Sequence, residues 1–251
     1  MIGIPRHNLS FYEEVVENDN EAFAIAKDLI ENLFFDMSKL CTKYCNDAIL
    51  WDPPYTYSER RLDCVLLPVL SKLCNSLVFT EYPTRRQSTK RYDPDKCKEG
   101  RIDYLCIYKG YTIVIELKHS FDCFLTPDTR DDKVTSRWDD MIKQLQSLKK
   151  EVKHYQERTK CVFLVGLHLI TSYSDKAPTP SLVSSFRDGI QKTFLRFRDD
   201  LGKKHPSHKP DLMICWNIPN RIVLHDERTY PGLWALAKIY DPITHKGSKQ
   251  Q

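Results

Sequence analysis

Residues 100–118, GRIDYLCIYKGYTIVIELK, decide how this chain folds. Two runs rich in β-branched and aromatic residues flank Lys109-Gly110, and the glycine supplies the positive φ that a two-residue hairpin turn often requires. In that register Tyr108 faces Tyr111, Cys106 faces Ile113, Tyr104 faces Ile115 and Ile102 faces Leu117, which makes one continuous apolar face. On the other face Ile107 meets Thr112, Leu105 meets Val114, Asp103 meets Glu116 and Arg101 meets Lys118.

Two carboxylates opposed on a sheet have Cβ atoms about 4.5–5.5 Å apart and repel each other. Side-chain alternation puts Glu116 and Lys118 on one side of their strand. A divalent cation relieves the repulsion, because Mg²⁺ binds through one or two carboxylates plus waters and phosphate oxygens. The amine then orients or deprotonates a water, or steadies charge on a phosphate. The competing reading is an ion-pair cluster in which Arg101 and Lys118 neutralise Asp103 and Glu116. An acid two residues before a lysine also occurs at Asp131/Lys133 and Glu151/Lys153, but in a polar loop and on a helix surface, where solvated charge is expected.

Working outward, residues 77–82 read as a strand that stops at Pro83, followed by a polar loop over 84–100. After the hairpin comes a loop over 121–133 and a helix over 134–157, with Val134, Trp138, Met141, Leu145 and Leu148 in its apolar stripe. Residues 161–170 are almost wholly apolar and read as a central strand. A helix over 180–198 and strands near 211–216 and 221–225 follow. Towards the N-terminus, residues 9–50 and 58–75 read as helices separated by Asp52-Pro53-Pro54. The expected architecture is α/β, a mixed sheet flanked by helices. Residues 1–76 are expected to form a helical lobe packed on a core of residues 77–251.

Composition excludes several classes. With 251 residues, 41% hydrophobic and 29% charged, the chain can bury a core. No run approaches the roughly 18 apolar residues of a membrane span, and the N-terminus lacks a signal-peptide core, so an intracellular location (cytoplasmic or nuclear) is expected, with delivery into a host cell left open. The nine cysteines lack a Cys-x-x-Cys pair, which argues for reduced thiols rather than zinc or a disulfide framework. A net charge of +4 permits nucleic-acid binding without arguing for it.

Gly100-Arg101-Ile102-Asp103 followed by Glu116-Leu117-Lys118 resembles the active-site signature of the PD-(D/E)XK nuclease superfamily, over roughly residues 77–170. Ile102 stands where the family's eponymous proline would. The resemblance implies a restriction-endonuclease-like sheet and a Mg²⁺ or Mn²⁺ ion held by Asp103 and Glu116. It also implies phosphodiester hydrolysis by water that Lys118 assists. Many members add an acid from the preceding element, which makes Glu81 a further candidate ligand. Many also place a glutamine on the next helix, which nominates Gln144, with Gln146 competing. Arg85, Arg86, Lys90, Arg91 and Arg101 are candidate phosphate contacts, and Tyr82 and Tyr92 candidate stacking residues. Lys203, Lys204, His205, His208 and Lys209 form a second basic loop. DNA is favoured over RNA by analogy with the family; a homodimer or a protein partner is left open. The alternatives are a catalytically silent nuclease-fold module that binds nucleic acid or protein, and a helical interaction protein with a merely ion-paired hairpin.

Overall fold

Lys109 and Gly110 both take positive φ, 49° and 83°, and close the expected two-residue turn. The strands they join are β4 (Cys97–Tyr108) and β5 (Tyr111–Cys123), and the pairs Tyr108↔Tyr111, Cys106↔Ile113 and Tyr104↔Ile115 form in the expected register. The computed structural model describes residues 2–6, 9–15, 21–47, 52–87, 97–125, 133–148, 162–203, 205–219 and 224–240.

Around this hairpin stand β1 (Ile2–Arg6), β2 (Leu9–Val15), β3 (Val78–Gln87), β6 (Val162–Ser174), β7 (Leu212–Asn217), β8 (Leu224–His225) and β9 (Arg228–Tyr240). The sheet runs β1-β2-β7-β9-β6-β5-β4-β3, with β8 paired to β9. Only β5 and β6 are parallel, joined through α3 (Lys133–Leu148); the other described pairings are antiparallel, so the sheet is mixed and the class α/β.

One face of the sheet is covered by α1 (Glu21–Asn46) and α2 (Asp63–Leu73), where Leu29, Leu33, Phe34 and Leu66 pack with Tyr104, Ile115, Phe163 and Trp216. The other face is covered by α3 and α4 (Pro180–Leu201), where Trp138, Met141, Phe186 and Phe194 pack with Val114, Leu164, Met213 and Trp234. A Cβ on Gly166 of β6 would stand 2.7 Å from both Met141 Cε and Leu145 Cδ1, so its bare backbone is what lets α3 approach. Thr179 caps α4 by accepting a hydrogen bond from Leu182 N–H.

Four sequence expectations need correction. Residues 9–15 form a strand, not the start of a helix: Leu9, Phe11 and Val15 also fit a two-residue period, and pairing with β1 and β7 decides between the readings. The first 76 residues therefore supply two strands of the common sheet, and α1 and α2 share a core with it rather than forming a purely helical lobe. Strand β3 continues through Pro83, which pairs with Arg101; β3 ends the sheet, and an edge strand tolerates a residue without an N–H. Strand β9 was missed altogether, because Pro231-Gly232 looks like a break and Leu233-Trp234-Ala235-Leu236-Ala237 has no strand alternation; it lies centrally between β7 and β6, buried on both faces. The expected helix beyond residue 148 lies outside the described residues.

Candidate functional site at the fork of β4 and β5

The β4–β5 ladder ends at Tyr104↔Ile115, whereas β4 stays paired to β3 and β5 stays paired to β6 through Cys123↔Tyr173. The two strands therefore part where Asp103 and Glu116 stand. Direct opposition of Asp103 with Glu116, and of Arg101 with Lys118, is not part of the ladder.

Loss of β4 leaves β5 with backbone donors to satisfy. Carboxylates take two of them. Leu117 N–H donates to Asp103 Oδ2 at 2.7 Å, and His119 N–H donates to Glu59 Oε2 at 3.0 Å. Glu59 arrives from a 3-10 turn, Glu59–Leu62, that runs directly into α2. Lys118 Nζ donates to Leu117 O at 2.8 Å and stands 3.9 Å from Glu59 Oε1.

Around this fork lies a cleft of about 410 Å³ lined by Glu59, Arg60, Asp63, Glu81, Asp103 and Tyr104, with Thr80 and Leu117. Four of those side chains are acidic. Burial pushes the Glu59 carboxyl above its ordinary value; Lys118 opposes the shift, and the negative charge of Asp103 adds to it. Tyr104 Oη donates to Asp63 Oδ1, and burial together with that bond raises the phenol.

Each expected site residue can now be placed. Asp103 lines the cleft. Glu116 is 1% exposed and Lys118 8%, so both lie beneath its surface rather than on it. Glu81 lines the cleft at a positive φ of 52°, a region that costs a non-glycine residue about 1–2 kcal/mol. Its Oε2 accepts from Arg101 Nη1 at 3.1 Å. Lys118 likewise approaches an acid from outside the hairpin, Glu59.

Helix α3 lies over this part of the sheet. Trp138 stacks on His168, the β6 partner of Lys118, with centroids 6.2 Å apart. Met141 and Leu145 cover Gly166, the partner of Glu116. Gln144, on the same helix, has a buried Oε1 without a hydrogen-bond partner, while Gln146 is engaged by His208 at 3.2 Å. His119 and His168 are buried and held neutral, with burial lowering them to about 4 and about 3. Thr171 Oγ1 spends its one proton on Tyr55 O, so His119 Nε2, 3.0 Å away, must be the donor in their contact.

The backbones of Arg85 and Arg86 pair with Glu99 and Lys98 on the arm of β3 and β4 beyond the fork. Lys90, Arg91 and Tyr92 lie outside the described residues, as does Lys204. The rings of His205 and His208 meet at a tilt of 56°, centroids 4.8 Å apart, and His208 O accepts from Trp138 Nε1, so that basic loop closes over α3.

Sequence reasoning missed Glu59, Arg60 and Asp63. Acids opening a helix are common for electrostatic reasons alone, and the one local signal here, an acidic first turn, does not reveal which strand it faces.

Among the described residues, no three or more His, Cys, Asp or Glu side chains are drawn together closely enough to hold a metal ion by themselves. No helix of the described residues is long and apolar enough to cross a membrane. What the fold and cleft define is an α/β protein whose mixed sheet splits at a carboxylate-lined fork. No family model matches the chain, and no curated protein or solved structure matches it.

Proposed function

We propose that this chain is a Mg²⁺- or Mn²⁺-dependent nuclease of the PD-(D/E)XK type, hydrolysing phosphodiester bonds with DNA as the favoured substrate. The observation that carries the reading is the fork itself: Asp103 and Glu59 are fixed on alternate amides, those of Leu117 and His119, of the strand that bears Glu116-Leu117-Lys118, with an ammonium 3.9 Å from Glu59. The segment that resembles the superfamily forms the meander β3-β4-β5, the crossover α3 and the parallel strand β6.

The donor set fits a hard divalent cation. Asp103 and Glu59 each commit one oxygen to an amide, and Glu59 carries the cost of a neighbouring negative charge. Mg²⁺ needs only one or two carboxylates when waters and phosphate oxygens complete its shell, so a three-residue cage is not required. Asp103 and Glu116 would hold the ion, with Glu59 and Glu81 on the cleft wall as further carboxylates. The bound ion would supply Lewis-acid polarisation of the phosphate and a more acidic water. Lys118 would orient the attacking water and offset developing charge, and Gln144 would contact Lys118 or the substrate. Arg101, with Arg85, Arg86, Lys90 and Arg91, would take backbone phosphates. The preference for DNA rests on analogy with the superfamily.

The test incubates purified protein with plasmid and single-stranded DNA in EDTA, Mg²⁺ and Mn²⁺ separately. Metal-dependent cutting is expected, reduced about 100-fold or more in Glu116→Ala and Lys118→Ala. Cutting that persists in both variants would refute the assignment. A second reading, a silent nuclease-fold binding module, is favoured by one feature: Glu116 is almost completely buried and does not line the cleft. Binding without cutting under any metal would select it.

A further inference from the structure

Beside the fork lies a second, open cleft, with about 620 Å³ of empty space when the adjoining solvent is included, and Arg60 lines both. Tyr44 of α1 and Pro54, Tyr57, Arg61 and Cys64 from the segment leading into α2 form its walls, with Asp52. Two features narrow the class of ligand. No carboxylate pairs with Arg60 or Arg61 among the described residues, and Arg61 lies over the Tyr57 ring at 4.3 Å from its centroid. The acids of this corner, Asp52 and Asp226, stand 3.8 and 3.2 Å from His225 Nε2 instead.

We infer that this second cleft binds one unstacked nucleotide of a single strand, its base against Tyr57 and Tyr44 and its phosphate on Arg60 and Arg61. Aromatic faces accept any base, and arginine serves backbone charge and stacking together. Arg60, on the lip common to both clefts, hands the next phosphate to the fork. The inference rests on the nuclease reading for its ligand class and adds the form of the substrate: a single strand or a frayed end, because a stacked duplex presents no free base to the tyrosines.

The test is run in EDTA, so that no cutting intervenes. A fluorescein-labelled oligothymidylate is titrated into the wild type, Tyr57→Leu and Tyr57→Phe, with anisotropy as the readout and thermal unfolding as the check on folding. In parallel, Cys64, the exposed thiol on the cleft wall, is alkylated with iodoacetamide and quantified by mass spectrometry. Tyr57→Leu should bind roughly tenfold more weakly and Tyr57→Phe like wild type. Saturating oligonucleotide should slow Cys64 alkylation several-fold. Equal binding by Tyr57→Leu and Tyr57→Phe, an unchanged Cys64 rate, or no binding by folded wild type would each overturn the inference. If Tyr57→Leu does not fold, protection of Cys64 in the wild type decides. Metal-dependent cutting without Cys64 protection would leave the nuclease reading standing and remove only this subsite. Protection without cutting in any metal would do the reverse.

Discussion

At its turn, the β4–β5 hairpin meets α1 through Asp28, which accepts hydrogen bonds from Tyr108 Oη at 2.5 Å and Lys109 Nζ at 2.8 Å. At its fork, the same hairpin meets the segment entering α2 through Asp63, bonded to Tyr104, and Glu59, which Lys118 approaches only to 3.9 Å. The side-chain types match, but the electrostatics do not. Burial pushes Asp28 up, yet the bonds from Lys109 and Tyr108 outweigh it and hold the carboxyl below its ordinary range. At Glu59 burial wins, helped by Asp103, and the carboxyl is raised. The turn end is an acid whose partners outweigh its burial; at the fork end burial and Asp103 outweigh Lys118 and Arg137 at Glu59. That difference in balance separates the two ends of the hairpin.

Acid should strain the fork end most. His119 and His168 sit beside it on β5 and β6, with folded values of about 4 and about 3 against an ordinary 6.5. The unfolded chain therefore takes up protons that the native chain refuses. Their contribution to stability is complete above about pH 6.5 and is lost as pH falls towards those folded values. Between pH 7 and pH 5 each should cost about 2 kcal/mol, close to 4 together. Urea unfolding at the two pH values measures this, and His168→Gln should flatten the slope. An unchanged slope would mean that these imidazoles are not held neutral.

The next effect separates the two ends by metal. For a site that binds only the folded protein, Mn²⁺ at about 100 times its dissociation constant should add about 2.7 kcal/mol. Asp103→Asn should abolish that gain, and Asp28→Asn should leave it intact. Thermal or urea unfolding with and without Mn²⁺ reads the difference. Equal gains in wild type and Asp103→Asn would place the ion elsewhere.

The turn end was legible in the sequence and the fork end only half so, for a physical reason. A two-residue turn with glycine fixes register locally, so every pair from Tyr108↔Tyr111 to Tyr104↔Ile115 follows from the pattern. Beyond that point the pattern still alternates, but the sheet twists β4 away with β3, and no local rule says where a ladder stops. Asp103 and Lys118 were visible because they stand at the outer ends of the hairpin's apolar runs. Glu59 was not, since its role depends on the 3-10 turn before α2 docking against β5, a contact between segments far apart in the chain. The same limit hid β2 and β9: each has ambiguous local preference, and strand partners elsewhere in the sequence decide it.

Substituting the two helix-side acids should give changes of opposite sign, and this is the sharpest use of the comparison. Asp28→Asn weakens the acceptor for Tyr108 and Lys109 and should cost about 1 kcal/mol near neutral pH. Because the folded Asp28 value is depressed, its contribution is present above the ordinary carboxyl value and fades as pH falls through the folded one. Glu59→Gln keeps an oxygen for His119 N–H but removes a charge that burial and Asp103 penalise. Its folded value is raised, so in the wild type the contribution is present below the ordinary carboxyl value and is lost as pH rises through the raised one. At neutral pH without metal, Glu59→Gln should therefore leave stability unchanged or raise it by a few tenths of a kcal/mol, by about the measure of a relieved like-charge contact. With Mn²⁺ the order should invert, because the wild type gains from the ion and Glu59→Gln gains less. Were Glu59→Gln to destabilise the metal-free protein as much as Asp28→Asn does, the Lys118 contact would be an ordinary closed ion pair, and the two ends of the hairpin would be alike.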